Sequence, residues 1–210
     1  MLAILLSLLQ LRSADTVAVT RLKESPAPAI SIDSAVLGPP QVSIPTRQRA
    51  ALVWLLRAGD TVFIAASMSD TSQYWGDDFV ISLDTRGDGA ADPQHDDFQW
   101  YFRRAIDSSV VYRGRNGRWQ PPRDDPDWRL GTDRSGGGWE VRARNRPDGW
   151  TLLLRLAPEW FAGENGARPR IAFRVYDNSP DGWFSWPAAN GTEPATLVER
   201  MPARWIPVIR

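Results

Sequence analysis

The chain contains no cysteine, which excludes disulfide bonds and thiolate metal sites. Its single histidine, His95, excludes any metal site that needs several histidines. Lysine is almost absent as well, since Lys23 is the only one and the other basic residues are arginines. No apolar run approaches the roughly 20 residues that a membrane-spanning helix requires. Covalent cross-links, thiolate chemistry and membrane insertion beyond a short leader therefore play no part in what we expect of this protein.

Bulk charge gives no hint of a polyanionic partner. The 25 basic and 25 acidic side chains cancel, so composition favours neither nucleic acid nor an acidic lipid surface. With 210 residues, of which 42% are hydrophobic, the chain is long enough for one domain with a sizeable core. We expect a monomer that does not bind nucleic acid.

The N-terminal segment resembles an export signal. Residues 2–11 form a short apolar run, and Ala14 and Ala18 offer small-residue cleavage sites. Residues 1–18 are therefore predicted to be a signal peptide or apolar leader, and residues 19–28, with Pro26 and Pro28, a linker. This pattern predicts a secreted or periplasmic protein, the alternatives being an uncleaved anchoring helix or an apolar segment packed on the domain.

The remaining sequence reads as short strands separated by turn signals. Residues 51–57 and 61–67 predict a hairpin, and residues 139–145 and 150–156 predict a second one across a Pro-Asp-Gly turn. Residues 78–84 alternate between apolar and polar positions, as a strand with one buried face does. Only residues 157–162 suggest a helical turn. The sequence thus predicts a single all-β domain over residues 29–210, an antiparallel β-sandwich of the immunoglobulin-like or jelly-roll type.

Two stretches do not fit this strand pattern. Residues 84–97 are rich in aspartate and glycine, and residues 114–138 combine prolines, aspartates and a run of three glycines. Long segments without strand character inside a compact domain are usually functional or disordered. We therefore expect both to be loops.

The order of these sequence elements resembles that of the family 9 carbohydrate-binding modules. The segments that carry the resemblance are Phe63-Ile64-Ala65-Ala66-Ser67-Met68-Ser69-Asp70, Tyr74-Trp75, Asp77-Asp78-Phe79-Val80-Ile81-Ser82-Leu83-Asp84, Asp96-Asp97-Phe98-Gln99-Trp100, Gly149-Trp150-Thr151-Leu152-Leu153-Leu154, Ala157-Pro158-Glu159-Trp160 and Ile171-Ala172-Phe173-Arg174-Val175-Tyr176-Asp177-Asn178. The resemblance covers roughly residues 30–200 in order and spacing. It implies a sandwich that binds a mono- or oligosaccharide without catalysing a reaction, linked to polysaccharide breakdown only by association.

The sugar-binding positions of that family are only partly kept. Val80 stands where the family has a glutamate, and Tyr101 where it has an arginine, with Arg103 at the next polar position. The family holds its sugar between two tryptophans. The resemblance offers Trp75 or Tyr74 as the first ring and Trp183 or Trp186 as the second.

Loop tryptophans beside polar residues supply what sugar recognition needs. The apolar face of a pyranose stacks on an indole, and its hydroxyls need donors and acceptors at the edge of the ring. By contrast, Trp54, Trp100, Trp139 and Trp150 lie within predicted strands and are expected to be structural. The predicted ligand-binding residues are Tyr74, Trp75, Asp77, Tyr101, Arg103, Trp183, Trp186 and Asn190. The alternative is that these tryptophans only clamp loops onto the sandwich.

The acidic loop suggests a calcium site. Calcium prefers six to eight oxygen ligands, which carboxylates and backbone carbonyls of an Asp/Gly loop can supply, although the spacing is not that of an EF-hand. Family 9 modules often carry structural calcium, as the resemblance implies. The predicted ligands are Asp84, Asp88, Asp92, Asp96 and Asp97. The alternative is a solvated acidic loop.

Two further interpretations are open at this point. A haem-binding electron-transfer sandwich would use Met68 and His95 as axial ligands. An envelope interaction domain would bind no small ligand. The scattered glutamates form no hydrolytic carboxylate pair, so we do not expect an enzyme.

Arginine and tyrosine recur at the polar positions of several predicted strands. If those strands share a sheet, they form one face that grips carboxylates, which makes an acidic sugar a ligand to test. The alternative is an ordinary solvated sheet face. The residues are Tyr101, Arg103, Arg142, Arg144, Arg155, Arg174 and Tyr176.

Overall fold

The structure is a computed structural model that describes residues 16–23, 37–46, 50–71, 77–104, 108–121, 138–178 and 181–209. Two β-sheets pack face to face over these ranges, which confirms the predicted single-domain β-sandwich. No helix among the described residues is both long and apolar enough to cross a membrane.

The larger sheet has eight strands and the smaller sheet six. In spatial order the larger contains β1 (Val17–Ala18), β14 (Ile206–Ile209), β12 (Arg170–Asn178), β6 (Asp78–Asp84), β7 (Asp97–Arg103), β8 (Ser108–Arg115) and β9 (Arg118–Gln120), with β13 (Asp181–Trp186) also paired to β12. The smaller contains β10 (Trp139–Arg146), β11 (Gly149–Leu156), β5 (Thr61–Met68), β4 (Ala50–Ala58) and β2 (Thr20–Arg21), with β3 (Val42–Pro45) paired to β4.

The core lies between the sheets because side chains alternate between the two faces of each strand. Phe79, Ile81 and Leu83 of β6 point inward and are almost fully buried. Strand tryptophans act as structural residues, as expected: Trp100, Trp139 and Trp150 lie in this core, and Trp54 lies in a second apolar cluster with Leu37. Both predicted hairpins, β4–β5 and β10–β11, form in register.

Four features differ from the sequence-based expectation. The pairs β1–β14 and β2–β4 are parallel, so the sheets are not purely antiparallel. Residues 17–21, assigned to the leader and linker, lie in the two sheets, so the sandwich begins before residue 29. Residues 114–120, expected to be loop, belong to a β8–β9 hairpin. Residues 181–186, whose tryptophans were read as loop residues, form β13.

Short 3₁₀ helices complete the described structure at Pro158–Phe161, Ala195–Arg200 and Pro202–Arg204. The first confirms the predicted helical turn. The other two lie against the larger sheet on the side away from the core, where Val198 and Trp205 pack on Ala172 of β12. Trp119 of β9 stacks on Trp205, with ring centroids 6.2 Å apart and an interplanar angle of 4°. This C-terminal segment therefore covers part of the outer face of the larger sheet.

Candidate functional site

Three neighbouring strands of the larger sheet present polar and aromatic side chains on its outer face, the face turned away from the core. In β6 the residues that alternate with the core positions are Asp78, Val80 and Ser82. Register places Val80 between Tyr101 of β7 and Arg174 of β12. The strand order β12–β6–β7 therefore makes the outward side chains of these three strands neighbours.

Three aromatic rings meet on this face, and we call Tyr101, Tyr176 and Trp183 the aromatic cluster. Trp183 lies in β13, opposite Tyr176 of β12. Its ring contacts Tyr176 edge to face at 5.1 Å between centroids and Tyr101 at 6.4 Å. All three residues are only partly buried. The cluster thus exposes aromatic surface to solvent at the end of the sheet where β6 begins.

A buried arginine supports this cluster. The guanidinium carbon of Arg174 lies 3.8 Å from the centroid of the Trp183 ring, a close cation–π contact. Its Nη2 forms an ion pair of 2.8 Å with Glu199 Oε2, and that same oxygen accepts a hydrogen bond from Gln99 Nε2. Burial lowers the pKa of Arg174 and raises that of Glu199, although each charge favours the other. The pair is therefore shielded from water, and each partner depends on the other for compensation.

Asp78 lies at the same end of the face. Its Oδ2 accepts a hydrogen bond of 2.5 Å from the Tyr101 hydroxyl. Arg103 lies above the Tyr101 ring, 5.1 Å from its centroid. Burial raises the pKa of Asp78, while the hydroxyl and the charges of Arg103 and Arg174 act in the opposite direction. A carboxylate thus lies beside the aromatic surface, hydrogen-bonded by a phenol and favoured by the charges of two arginines.

Several buried polar atoms on this face have no hydrogen-bond partner among the described residues. They are Asp78 Oδ1, Arg174 Nε and Ser185 Oγ. Ser185 is the register neighbour of Arg174, so two of these atoms lie on adjacent strands. Buried polar groups in native proteins are almost always paired with protein or with ordered water. These atoms are closed to solvent, so ordered water is the partner that suits them.

The predicted ligand residues are only partly brought together. Tyr101, Arg103 and Trp183 meet on the outer face as described above, whereas Tyr74 and Trp75 lie outside the described residues. Trp186 is on the opposite side of β13, where its ring packs 5.8 Å from that of Phe173 at the margin of the core. Asn190 lies in the exposed turn before Ala195–Arg200, where its backbone exchanges hydrogen bonds with Glu193.

Asp77 takes part in a buried ion pair and does not face the aromatic cluster. Its Oδ2 lies 3.1 Å from Arg104 Nη1, and both side chains are more than nine-tenths buried. Arg104 also donates to the Asp70 carbonyl oxygen and to Asn145 Oδ1, and it lies over the Trp150 ring. Asp77 therefore joins β6 to neighbouring segments, and its neighbour Asp78 provides the carboxylate on the outer face.

Sequence reasoning missed three members of the site, Asp78, Gln99 and Glu199, and placed Arg174 and Tyr176 on an arginine-tyrosine face without predicting them as ligand residues. Asp78 carried a usable signal, because it occupies a polar position of an alternating strand. Gln99 and Glu199 carried none, since their contact with each other joins residues 100 positions apart.

The seven arginine and tyrosine residues at polar strand positions do not share one face. Arg142, Arg144 and Arg155 lie in the smaller sheet, and all three are exposed. Arg103 and Arg174 lie in the larger sheet. An acidic ligand was inferred only on the condition that these strands share a sheet. They do not, so this reason for expecting an acidic sugar no longer applies.

A second polar site lies at the other end of β6, around the turn to β7. One carboxylate oxygen from each of Asp84, Asp88 and Asp96 lies within 4.8 Å of the other two. Asp97 is the register partner of Asp84, and we call these four residues the carboxylate cluster. Asp92 is exposed on the same loop and is not part of the close group.

The backbone of the loop is shaped around Asp84. Its two carboxylate oxygens accept hydrogen bonds from the N–H groups of Gly87 and Gly89, at 2.6 and 2.9 Å. Both glycines have positive φ, and a Cβ at Gly87 would lie 2.0 Å from the Arg168 carbonyl oxygen. Only glycine therefore allows the turn that brings the loop carboxylates together.

The carboxylate cluster fits a hard cation. Burial, followed by the charges of Asp84, Asp96 and Asp88, raises the pKa of Asp97 to about 8. The buried oxygens Asp97 Oδ1 and Asp96 Oδ2 have no hydrogen-bond donor among the described residues. Carboxylate oxygens without donors, held close to other carboxylates, are the ligands that calcium prefers. Asp84, Asp88 and Asp96 would hold the ion, with Asp97 beside them.

The haem interpretation does not fit the structure. Met68 ends β5 opposite Trp150, whose ring lies 5.7 Å from that of Phe102, at the end of the sandwich where β6 begins. Met68 lines a cleft at that end. His95 precedes β7 at the opposite end, and its ring is hydrogen-bonded to Arg113. A seven-residue strand separates the two ends, about 20 Å at 3.3 Å per residue, so the two side chains cannot ligate one iron.

Comparison with known proteins places the fold. No protein-family model matches the chain, and no curated protein matches it in sequence. Solved structures similar to this chain include two of a family 9 carbohydrate-binding module from Caldicellulosiruptor kristjanssonii. The complex with cellotriose has 16% identity and a TM-score of 0.60 and covers 92% of each chain. The complex with glucose has 15% identity and a TM-score of 0.57, covering 92% of this chain and 95% of the other. The fold expected from the sequence resemblance is thereby confirmed.

Proposed function

We propose that this protein is an exported, non-catalytic carbohydrate-binding module that holds a mono- or oligosaccharide against Trp183 on the outer face of its larger sheet. The observation that carries the proposal is the partly exposed aromatic cluster with partly exposed polar groups beside it. Trp183 supplies an indole, and the Tyr101 hydroxyl and the Arg103 guanidinium supply polar groups next to it. A pyranose needs this combination, since its faces are apolar and its rim carries hydroxyls.

The likeness to modules solved with cellotriose and glucose supports the same proposal through the fold. Tyr74 and Trp75 precede β6, which begins beside the aromatic cluster, and we propose Trp75 as a second stacking ring. Export, a monomeric state and an association with polysaccharide breakdown complete the proposed role. Among the two cleavage sites, Ala14 suits the fold better, because cleavage after Ala18 would remove β1.

We also propose that the carboxylate cluster binds a structural calcium ion. Three carboxylates within 4.8 Å of one another, two of them buried, support the site. A divalent cation supplies the opposite charge that this cluster lacks and holds the turn between β6 and β7 in place.

The test of the sugar site is a binding comparison of two tryptophan variants. Trp183→Ala should weaken saccharide binding by about 1–3 kcal/mol, the scale of truncating an interface aromatic. Trp119→Ala is the matched control, because Trp119 is also partly buried on the outer face but stacks on Trp205 of the C-terminal segment. Trp75→Ala should resemble Trp183→Ala and leave the protein folded.

Ligands are identified on a glycan array and affinities measured by tryptophan fluorescence titration. Equal losses for Trp183→Ala and Trp119→Ala would contradict a site at Trp183. Absence of binding to every glycan would favour the other candidate function, an envelope interaction domain without a small ligand.

A further inference from the structure

The charges around the aromatic cluster balance in pairs. Arg103 and Arg174 both act on Asp78, and Arg174 is also bound to Glu199. Arg200 also acts on Glu199, but the ion pair nearest the indole, Arg174 with Glu199, carries one charge of each sign. A sugar stacked on Trp183 therefore meets a guanidinium whose charge is cancelled by its partner carboxylate.

Glu199 is the member of this set that does not belong to the sheet. Asp78, Arg103 and Arg174 come from β6, β7 and β12, whereas Glu199 comes from the 3₁₀ helix Ala195–Arg200 of the C-terminal segment. Its side chain is 14% exposed and that of Arg174 is 7% exposed. Gln99 fixes the same carboxylate oxygen that binds Arg174. The C-terminal segment thus brings one negative charge onto the outer face and places it on Arg174.

The position of Arg174 makes its charge matter to a ligand. The guanidinium lies 3.8 Å from the centre of the indole. A sugar stacked on the opposite face of that ring, at ordinary van der Waals distance, comes within about 8 Å of it, close to the Debye length at physiological salt. Without Glu199, Arg174 would present a net positive charge to that sugar across the ring. With Glu199 in place, that charge is cancelled.

We infer that Glu199 is a specificity-determining residue: by neutralising Arg174 it makes the site select neutral sugars over the corresponding uronic acids. This inference rests on the proposed sugar site at Trp183. It assigns to the C-terminal segment a role in ligand choice in addition to covering the sheet. It also reverses the expectation of an acidic ligand, because the guanidinium nearest the indole already has its carboxylate.

The experiment compares three sugar pairs that differ only by a carboxylate at C6: glucose with glucuronic acid, galactose with galacturonic acid, and mannose with mannuronic acid. Affinities are measured by titration calorimetry at neutral pH and low ionic strength, where screening is weakest. The full chain should bind the neutral member of at least one pair about tenfold more tightly than its uronic acid. Glu199→Gln keeps the shape of the side chain and removes its charge, and should close that gap by about tenfold.

Further variants that change the charge of Arg174, of Glu199 or of both form a charge series, which keeps the test informative if one variant folds poorly. Arg174→Gln leaves Glu199 unneutralised and should widen the preference for the neutral sugar. The double variant Arg174→Gln/Glu199→Gln restores the balance and should return the ratio to that of the unmodified protein. Glu193→Gln is the matched control, because Glu193 lies in the same C-terminal segment but pairs with Arg204.

The outcomes separate this inference from the proposed function. Binding of a neutral sugar with a ratio that changes less than about twofold across the charge series would overturn the role of Glu199 and leave the sugar site standing. A ratio that follows Glu193→Gln as closely as Glu199→Gln would overturn it as well. If neither member of any pair binds, the site at Trp183 fails and the inference fails with it. Melting temperatures measured on every variant show which of them are folded.

Discussion

Each end of strand β6 carries a buried aspartate, and the groups around the two carboxylates differ. Asp78 begins the strand and Asp84 ends it, both are buried, and burial raises the pKa of each. Asp78 accepts a hydrogen bond from a phenol hydroxyl and lies within the electrostatic influence of two guanidinium groups, whereas Asp84 accepts hydrogen bonds from two backbone N–H groups and lies beside further carboxylates. At one end the protein supplies the opposite charges itself, and at the other end we propose an added cation. The comparison teaches that burial of a carboxylate does not identify a site, and that the surrounding groups do.

The largest effect expected from this difference is a calcium response confined to the Asp84 end. A ligand at a thousand times its dissociation constant stabilises the native state by about 4 kcal/mol, or about 10 °C in melting temperature for a chain of this size. We therefore expect a chelator to lower the melting temperature and calcium to restore it, as followed by calorimetry. Asp88→Asn should remove most of this response, and Asp92→Asn, on the same loop but outside the close group, should retain it. Identical melting with chelator and with calcium would break the comparison.

At the Asp78 end, the carboxylate depends on the hydroxyl group of Tyr101. Tyr101→Phe removes the donor to Asp78 Oδ2 and should cost about 1–3 kcal/mol in the free energy of unfolding, because a buried acceptor is left unpaired. Tyr112→Phe is the control, since Tyr112 lies on the neighbouring strand β8 and should change stability by no more than about 0.5 kcal/mol. Denaturant titration measures both, and equal costs would show that the hydroxyl of Tyr101 does not stabilise Asp78.

The effect of Asp96→Asn on stability should have opposite signs with and without calcium. Without calcium it removes one of several mutually repelling carboxylates and should stabilise the fold by about 1 kcal/mol or more. With calcium it removes a ligand and should destabilise the protein. The two melting temperatures, with chelator and with calcium, are compared for this variant and the unmodified protein. A change of the same sign in both conditions would argue against Asp96 as a ligand.

The smallest effect concerns the pH dependence of stability at Asp78. Because its folded pKa is raised above the ordinary value of 3.8, the folded protein holds this proton more tightly than the unfolded chain. The contribution is therefore fully present below pH 3.8 and is lost as the pH rises through the folded pKa. Asp78→Asn cannot ionise and should show a flatter decline over that window than the unmodified protein, measured by denaturant unfolding across pH. A steeper decline in the variant would reverse the assigned direction.

The sequence predicted local structure better than it predicted the site. Hairpins β4–β5 and β10–β11 were predictable because their alternation and turn residues lie within a few positions of each other. Strand β13 was mistaken for a loop because its glycine and closely spaced tryptophans resemble turn chemistry, whereas pairing with β12 imposes the strand. The partners of Arg174 could not be predicted from the sequence. They depend on strand order and on a contact with Glu199, 25 positions further along the chain.

The same limit explains the acidic loop. Spacing alone suggested five aspartates as ligands, and the folded loop brings three of them close together with Asp97 beside them and leaves Asp92 exposed. Which oxygens converge depends on the two glycine turns at residues 87 and 89. Composition predicted an acidic loop, and the backbone conformation determines which of its carboxylates lie close together.

The arginines of β10 have a consequence unrelated to any ligand. Among the described residues β10 pairs only with β11, so its other edge presents backbone groups that another chain's strand could pair with. Arg142, which pairs with Glu140, and the exposed Arg144 lie on this strand. Bringing two copies edge to edge would place the arginines of one copy near those of the other, so these side chains would disfavour pairing through this edge.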